Sequence, residues 1–273
     1  MKAIDHFKRK RFSGLAFGRS LIDVGKFVGL VGILSLLIVR GASQTGYHWQ
    51  WYRLPPYILS IEEGHIVLGP LLKGVFVTLQ ISGISLLLAV AFGLTAALLR
   101  LSSSALGGVV ARAYVGFIRN TPLLVQLFFV YFVLAPVLDM GRLFSAVLAL
   151  SLFEGAYVAE IFRAGILSVP RGQWEGAYSL GMGSIQTYRH VVLPQAIRYV
   201  FPPLVSQAVS LIKDSALVST IAIYDLTMEG QAIIAETYLT FEVWFAVAFI
   251  YLIMTVSLSF CVTLINRNMQ VQP

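Results

Sequence analysis

Apolar residues form long runs along this chain, and short polar segments separate the runs. A helix needs roughly 20 apolar residues to cross a bilayer. Six runs approach that length, and they lie near 22–40, 72–99, 119–137, 143–165, 197–222 and 242–265. The pattern predicts an all-α integral membrane protein with about six transmembrane helices.

Composition supports a lipid-facing surface. Charged residues make up 12% of the 273 residues and hydrophobic residues 58%, whereas a soluble domain carries about 25% charge. The single cysteine, Cys261, lies in an apolar run, which excludes a disulfide framework and a zinc site built from several cysteines.

The first run is the weakest of the six, because only "FVGLVGILSLLIV" is free of charge. That length also suits the core of a signal peptide, and "GAS" after it resembles a cleavage site. The preceding segment is long and basic, which favours an uncleaved anchor.

The positive charges predict the orientation of the chain, since lysine and arginine concentrate on the inner side of a membrane. With the N-terminus inside, 15 of the 20 lysines and arginines fall in inner segments. Lys213 lies within a span, and the outer segments hold only Arg40, Arg53, Lys73 and Arg142. Both termini are therefore predicted to be cytoplasmic.

The chain shows no motif for catalysis of its own. The nearest candidate for a phosphate-binding loop, "GRSLIDVGKF", has the wrong spacing and carries Phe27 where a serine or threonine would hold magnesium. No histidine and glutamate cluster has metal-ligand spacing. The chain is therefore not expected to be an enzyme, to bind a metal or to hold a cofactor.

One polar stretch, "RGQWEGAYSLGMGSIQTYRHVVLPQA" at 171–196, interrupts the apolar runs. Ser168 and Pro170 are suited to begin a helix, Gly181 and Gly183 to end it, and Ser184 to cap a second one. Trp174, Tyr178 and Gly181 would share one face. An amphipathic helix resting on lipid headgroups fits the same composition.

The spacing in this stretch resembles the cytoplasmic Glu-Ala-Ala loop of the permease subunits of ABC importers. The matching residues are Glu175-Gly176-Ala177, Gly181, and Val191 with Leu193-Pro194, where Gly176 and Val191 depart from the usual alanine and isoleucine. "RNTPLLVQLFF", "GAYVAEIFRAGILSVPRGQWEGA" and "LIKDSALVSTIAIYDL" resemble the polar-amino-acid branch of that family. The resemblance covers roughly residues 70–265.

The resemblance implies a type I ABC importer permease fold with a cytoplasmic coupling helix between spans four and five. The coupling residues would be Trp174, Glu175, Gly176, Ala177, Tyr178 and Gly181. The implied partners are two ATPase subunits that hold ATP and magnesium, a second permease subunit, and a periplasmic or lipid-anchored binding protein. A non-identical second permease is favoured, and an identical one is the alternative.

The apolar runs and the resemblance together predict three parts of the chain, in a bacterial inner membrane. Residues 1–26 would be a basic cytoplasmic N-terminus, and 27–66 the first span with a periplasmic loop. Residues 67–267 would be the core permease domain, which contains the coupling loop 168–195.

Polar residues within the spans are candidates for a substrate pathway. Ser206, Ser210 and Asp214 recur at helical spacing, and Glu154 is followed by Tyr157 three residues later. Glu154, Tyr157, Ser206 and Ser210 are predicted to line the pathway, although helix–helix hydrogen bonding explains such residues equally well. Gating or structural pairs are predicted for Glu160 with Arg163 and for Lys213 with Asp214.

The predicted substrate is a polar amino acid, with a preference for glutamate or aspartate because "SLFEGAYVAEIFRAGI" is most similar to permease chains of glutamate/aspartate importers. The main alternative is an ion-coupled secondary amino-acid transporter, in which Glu154 and Asp214 would relay protons. Such folds contain inverted repeats, and no convincing repeat is visible in this sequence. A membrane-anchored assembly subunit without a pathway is a further alternative.

Overall fold

A computed structural model describes residues 25–26, 28–33, 35–37, 40–41, 46–62 and 64–269, with the backbone alone for 61–62 and 261–269. The chain divides into two compact units, 1–50 and 51–273. In the first unit, the described residues between 25 and 41 are helical. The predicted first span at 22–40 lies partly outside the described residues. Whether this span is an uncleaved anchor or a cleaved signal peptide stays a prediction.

A short segment that the apolar pattern did not predict opens the second unit. It contains helical turns at Trp51–Arg53 and Pro55–Ile58 and a two-stranded antiparallel hairpin. Strand β1 (Leu59–Glu62) pairs with β2 (His65–Leu68), with Leu59 opposite Leu68. The β-branched residues in both strands favour this conformation.

Eight helices follow in the described part of the second unit. They are α1 (Pro70–Leu101), α2 (Ala105–Arg119), α3 (Leu123–Leu138), α4 (Arg142–Leu167), α5 (Arg171–Ser179), α6 (Ser184–Ile221), α7 (Leu226–Thr237) and α8 (Thr240–Met269). Wider π-helical turns interrupt α3 at Phe129–Leu134 and α6 at Tyr188–Val192, and α6 tightens to a 3₁₀ helix at Ser215–Ile221.

Among the described residues, α1, α4, α6 and α8 are long and apolar enough to cross a membrane. They correspond to four of the six predicted spans. The predicted span at 119–137 begins later than expected, because Arg119 is the last residue of α2 and α3 starts at Leu123. The two helices meet at 108° and form a fifth candidate span only if they are counted together.

Pro122 explains why the helix breaks at this point. Proline lacks the N–H that would continue a helix and disfavours the helical conformation in the residue before it. Gln126 then fixes the turn, since its Nε2 donates to the carbonyl oxygen of Ile118 at 2.8 Å and to Oγ1 of Thr121 at 2.7 Å.

Small residues let α1 and α4 lie against each other along much of their lengths. Gly93 of α1 faces Val158 and Ala159 so closely that a Cβ at Gly93 would lie 2.5 Å from Val158 Cγ1. Ala89 and Ala97 of α1 and Ala156 of α4 have no exposed surface. Close backbone approach through glycine and alanine is typical of helices packed within a membrane.

The connections between helices gather at two ends of the second unit. At one end, Leu101 of α1 packs against the same small buried cluster as Trp174 and Tyr188 of the polar stretch. At the other, Arg142 Nη1 donates to the carbonyl oxygen of Ala222 at 2.8 Å. This grouping agrees with the predicted alternation of the spans, whereas the assignment of one end to the cytoplasm stays a prediction.

Candidate functional site

The polar stretch folds into a helix, a tight turn and the first turns of α6. Helix α5 ends in a Schellman motif, in which the N–H of Gly181 donates to the carbonyl oxygen of Tyr178 at 2.9 Å and that of Met182 to Ala177 at 3.1 Å. The φ of Gly181 is +76°, a conformation that glycine adopts without strain. The glycine therefore sets the angle between α5 and α6.

The residues that begin the two helices differ from the prediction. Ser168 ends α4, where its hydroxyl donates to the carbonyl oxygen of Ala164 at 2.8 Å, and Pro170 holds the position before α5. Gly183 rather than Ser184 precedes the second helix, and its N–H donates to Oε1 of Gln186 at 3.2 Å. The side chain of Gln186 therefore does the capping that was expected from a serine hydroxyl.

The two aromatic residues of α5 do not form one displayed face, which corrects the prediction from their spacing. Trp174 is half-buried and packs edge-on against Tyr188, with ring centroids 5.1 Å apart. Tyr178 is exposed, whereas Ala177 is buried. Helix α5 is therefore anchored through Trp174 and presents its surface elsewhere.

The polar stretch at 171–196 exposes two large apolar side chains. Leu180 is 81% exposed and Ile185 is 85% exposed, next to the exposed Tyr178 and Glu175. We call Glu175, Tyr178, Leu180 and Ile185 the loop patch. Leu180 and Ile185 were not predicted as site residues, because each stands alone in a polar stretch and the two are not at helical spacing.

The loop patch rests on a rigid base. Ile166, Val169, Val192 and Ala196 form a small buried cluster, against which Leu101, Trp174 and Tyr188 pack. A hydrogen bond of 3.1 Å from Gln195 Nε2 to Gln173 Oε1 also joins α6 to α5. Helix α5 and the start of α6 therefore pack against the ends of α1 and α4.

Glu154 lies in the middle of α4 with no exposed surface. Neither carboxylate oxygen makes a hydrogen bond of standard length and angle to a described residue. The polar side chains that face it are Gln207 and Asp214 of α6. An unsatisfied carboxyl group within a membrane span is energetically costly, so this position is a candidate binding site for a polar or cationic group.

Glu154 and Tyr157 were predicted to share a face of the pathway, but the structure places them in different surroundings. The ring of Tyr157 lies 5.2 Å from the ring of Phe153, and Arg119 stacks over it at 5.2 Å from its centroid. Tyr157 therefore turns toward α2, whereas Glu154 faces α6.

One residue of the fifth predicted span faces Glu154 and was not predicted from the sequence. Gln207 is half-buried and faces Glu154, together with Asp214. Its signal in the sequence is its position seven residues before Asp214, which places both on one side of α6. Ser206 is exposed and donates to the carbonyl oxygen of Pro202 at 3.4 Å, whereas Ser210 is half-buried.

Of the two predicted pairs, Glu160 and Arg163 are hydrogen-bonded, whereas Lys213 and Asp214 lie in different surroundings. Arg163 Nε and Nη2 both donate to Oε2 of Glu160, at 3.0 and 2.8 Å, and Arg100 binds Oε1 of Glu160. Lys213 is exposed while the neighbouring Asp214 is half-buried and faces Glu154. Glu160 therefore joins α1 to α4, and Asp214 belongs with Glu154 more than with Lys213.

Comparison with known proteins gives consistent results. The chain is 37% identical over 204 residues to the glutamine transport system permease protein GlnP of Escherichia coli, which covers 74% of this chain and 93% of that protein. It is 40% identical to the L-cystine transport system permease protein TcyB of Bacillus subtilis, over 73% of this chain and 87% of that protein.

Solved structures share the fold. An amino acid ABC transporter, crystallised with histidines, matches with a TM-score of 0.69 and 38% identity over 73% of this chain and 94% of that one. The methionine ABC transporter MetNI in an inward-facing conformation matches with a TM-score of 0.65 and 20% identity, over 73% and 95% of the two chains. The second similarity establishes the fold alone, which is the predicted helical permease fold of ABC importers.

The family comparison covers most of the helical unit. Residues 89–271 match the family described as the binding-protein-dependent transport system inner membrane component. This range begins within α1 and includes the loop patch, Glu154 and its neighbours on α6. The chain belongs to the family of binding-protein-dependent transport system inner membrane components.

Proposed function

We propose that this chain is the transmembrane subunit of an ABC importer, forms the pathway for a polar amino acid, and is driven by separate ATPase subunits. The observation that carries the proposal is the loop patch, since Leu180 and Ile185 are exposed on a segment that its own buried cluster keeps rigid. Exposed apolar groups on a rigid, otherwise polar surface are typical of a site for a protein partner.

The proposed partner at the loop patch is the ATPase subunit, and the end that bears the patch is then cytoplasmic. Leu180 and Ile185 would enter an apolar cleft on the partner, and Glu175 would pair with a basic residue or an amide at its edge. Closure of two ATPase subunits on ATP would then displace α5 and, through the cluster around Trp174, the ends of α1 and α4.

The proposed substrate is an amino acid because the relatives are named for glutamine and cystine, and a further relative for octopine. The unsatisfied carboxyl group of Glu154 is suited to an ammonium group, which every amino acid carries. The preference for glutamate or aspartate that the sequence suggested has no support in these names and stays a prediction.

The assembly we propose contains two ATPase subunits, a second permease subunit and an amino-acid-binding protein on the outer side. The second permease is expected to be non-identical, and an identical copy would complete the same arrangement. The alternative of an ion-coupled secondary transporter is disfavoured, because residues 89–271 match a family defined by dependence on a binding protein.

The test is a charge placed in the loop patch. Leu180→Asp should abolish uptake and reduce co-purification of the ATPase subunits, because a carboxylate cannot enter an apolar cleft without a large desolvation cost. Glu175→Lys should reduce the ATPase activity that the binding protein stimulates in the reconstituted complex. Assembly is measured by affinity purification of the tagged chain, and transport by uptake of labelled amino acid.

Leu68→Asp is the matched control, because Leu68 is also exposed but lies in the hairpin at the opposite end of the second unit. It should retain the ATPase subunits. Normal uptake and normal co-purification in both Leu180→Asp and Glu175→Lys would contradict the coupling role.

A further inference from the structure

A cavity of about 420 Å³ lies between α1, α2 and α4, away from Glu154 and from the loop patch. Three arginines and a single carboxylate face it, with Tyr157 and Asn120 among the other polar groups. Its lining comprises Arg100, Arg112, Val115, Gly116, Arg119, Asn120, Tyr157 and Glu160. We call it the arginine pocket.

The charges in the arginine pocket do not cancel. Glu160 is already bound by Arg100 and Arg163, and Arg119 Nη1 lies 3.9 Å from its Oε1. Arg112 is exposed and forms no ion pair with any residue that the structure describes. Arg112 therefore remains available to an anion, and Arg119 makes only a long contact with Glu160.

The turn after α2 holds Arg119 in place. Gln126 binds both the last turn of α2 and Thr121, and Asn120 donates to the carbonyl oxygen of Gly116 at 2.7 Å. Arg119 also stacks over the ring of Tyr157. Two arginines seven residues apart on one helix, with one of them braced, form a preorganised site for an oxyanion.

Exposed apolar residues border the arginine pocket on α2. Leu106, Val109, Val110 and Phe117 are between 55% and 76% exposed, and their spacing places them on one side of the helix. Arg112 and Arg119 occupy the adjoining side. Arg100 is the residue before the end of the apolar helix α1, so the charges lie near the level at which the hydrocarbon layer ends.

We propose that the arginine pocket binds a phosphate group, supplied by the headgroup of an anionic phospholipid whose acyl chains lie along the apolar side of α2. Basic pockets between transmembrane helices at the membrane surface have the chemistry to bind such headgroups. The volume suits a phosphate with a small alcohol, and Gly116 leaves the opening clear, since a Cβ there would meet no atom within 4 Å.

The experiment uses the full chain in its complex with the ATPase subunits, purified in neutral detergent. Native mass spectrometry would count phosphatidylglycerol bound in competition with phosphatidylcholine. Phosphatidylglycerol should bind preferentially, and Arg112→Gln with Arg119→Gln should weaken it about 30-fold, since each basic residue near an anionic surface contributes about 1 kcal/mol. Arg198→Gln removes an exposed charge outside the pocket and should leave the binding unchanged.

A second variant tests the shape of the site without changing its charge. Gly116→Leu should fold normally, because its position is open, and should exclude the headgroup by filling the entrance. Soluble glycerol phosphate at millimolar concentration distinguishes the source of the phosphate: if it competes as well as the lipid binds, the site takes a soluble anion and the lipid proposal fails. Equal binding of the two lipids, or binding unaffected by both sets of variants, would also overturn it.

Discussion

At the scale of single residues, Glu154 and Glu160 look alike in the sequence but have different surroundings in the structure. The sequence places Glu154 and Glu160 six residues apart, about 1.7 helical turns, in the same apolar run. In the structure Glu160 is bound by two arginines, whereas Glu154 makes no hydrogen bond of standard length and angle to a described residue. The position of Glu154 could be predicted, but its surroundings depend on Gln207, which lies 53 residues away and carries no motif of its own.

Glu154→Gln tests the proposed site for the substrate ammonium group. The amide keeps the size of the side chain and loses its negative charge, so the KM for uptake should rise at least tenfold, while assembly and basal ATPase activity remain. A charge-assisted hydrogen bond contributes more than a neutral one, which gives the expected magnitude. Uptake of labelled glutamine and cystine by reconstituted complexes is the measurement.

Glu242→Gln is the control for this substitution, because Glu242 is equally buried but lies in the first turn of α8. Its KM should match that of the unaltered chain. If Glu154→Gln also transports with unaltered kinetics, Glu154 has a structural role and the substrate site lies elsewhere.

Asp225 makes the stability of the connection before α7 dependent on pH. Burial raises the pKa of Asp225 to about 6, although its Oδ1 accepts a hydrogen bond from the N–H of Met228 at 2.9 Å. Because the pKa is higher in the folded state, the stabilisation is complete below about pH 4 and is lost as the pH rises through 6. Asp225→Asn keeps the helix cap and removes the buried charge.

The thermal unfolding of the Asp225→Asn chain should therefore vary less with pH than that of the unaltered chain. At pH 8 the variant should be more stable, by at most about 3 kcal/mol, and the difference should shrink at pH 5. Asp139→Asn, in an exposed position, should not change the profile. A variant that is less stable at both pH values would show that the ionised cap is required.

At the scale of elements, hydrophobic runs predict the long helices and fail at their breaks. α1, α4 and α8 follow directly from continuous apolar sequence, whereas α6 begins at Ser184 within the polar stretch and continues into the predicted span at 197–222. The predicted span at 119–137 runs across the break between α2 and α3, because only three polar residues, Arg119, Asn120 and Thr121, come before Pro122 and the sequence is apolar directly after it. The hairpin at 59–68 was missed because strands this short have too few residues for a clear alternation.

Two glycines of α1 test whether packing between α1 and α4 limits stability. A Cβ on Gly93 would lie 2.5 Å from Val158 Cγ1, whereas one on Gly83 would meet no atom within 4 Å. Gly93→Ala should destabilise the chain by about 1–3 kcal/mol through overpacking. Gly83→Ala should be neutral or stabilising by up to about 1 kcal/mol, because alanine favours the helix.

Unfolding of the two variants in detergent, followed by circular dichroism, gives the comparison. Since both variants add the same methyl group to the same helix, the difference between them isolates the contact with α4. Equal stability of the two variants would show that α1 and α4 can move apart at no measurable cost.

At the scale of the whole molecule, the distribution of basic residues predicts the orientation of the chain across the membrane, which the fold alone does not define. The structure brings Arg100, Arg119 and Arg163 together around Glu160, as expected if their segments share one side of the membrane. A set of helices is equally compatible with either direction across a bilayer, so the orientation rests on the excess of basic residues at that end.

Single cysteines test the orientation, in a chain whose own Cys261 is replaced by serine. Gln173→Cys in α5 should react with a membrane-impermeant thiol reagent only from the cytoplasmic side, and Glu236→Cys in α7 only from the outside. Both positions are exposed, whereas Glu229 in α7 is half-buried and is a poorer reporter. Labelling of intact cells and of inverted vesicles gives the result, and the opposite pattern would place the loop patch outside.

The small cluster beneath the loop patch has a consequence for how the transporter is assembled in the cell. A docking segment that folds only on its partner loses conformational entropy on binding, about 1–2 kcal/mol for each residue that becomes ordered. Here Ile166, Val192 and Trp174 order the segment within the chain itself. Under the proposed function, docking of an ATPase subunit on the loop patch would therefore require little further loss of conformational entropy from this segment, so that association and release need no refolding.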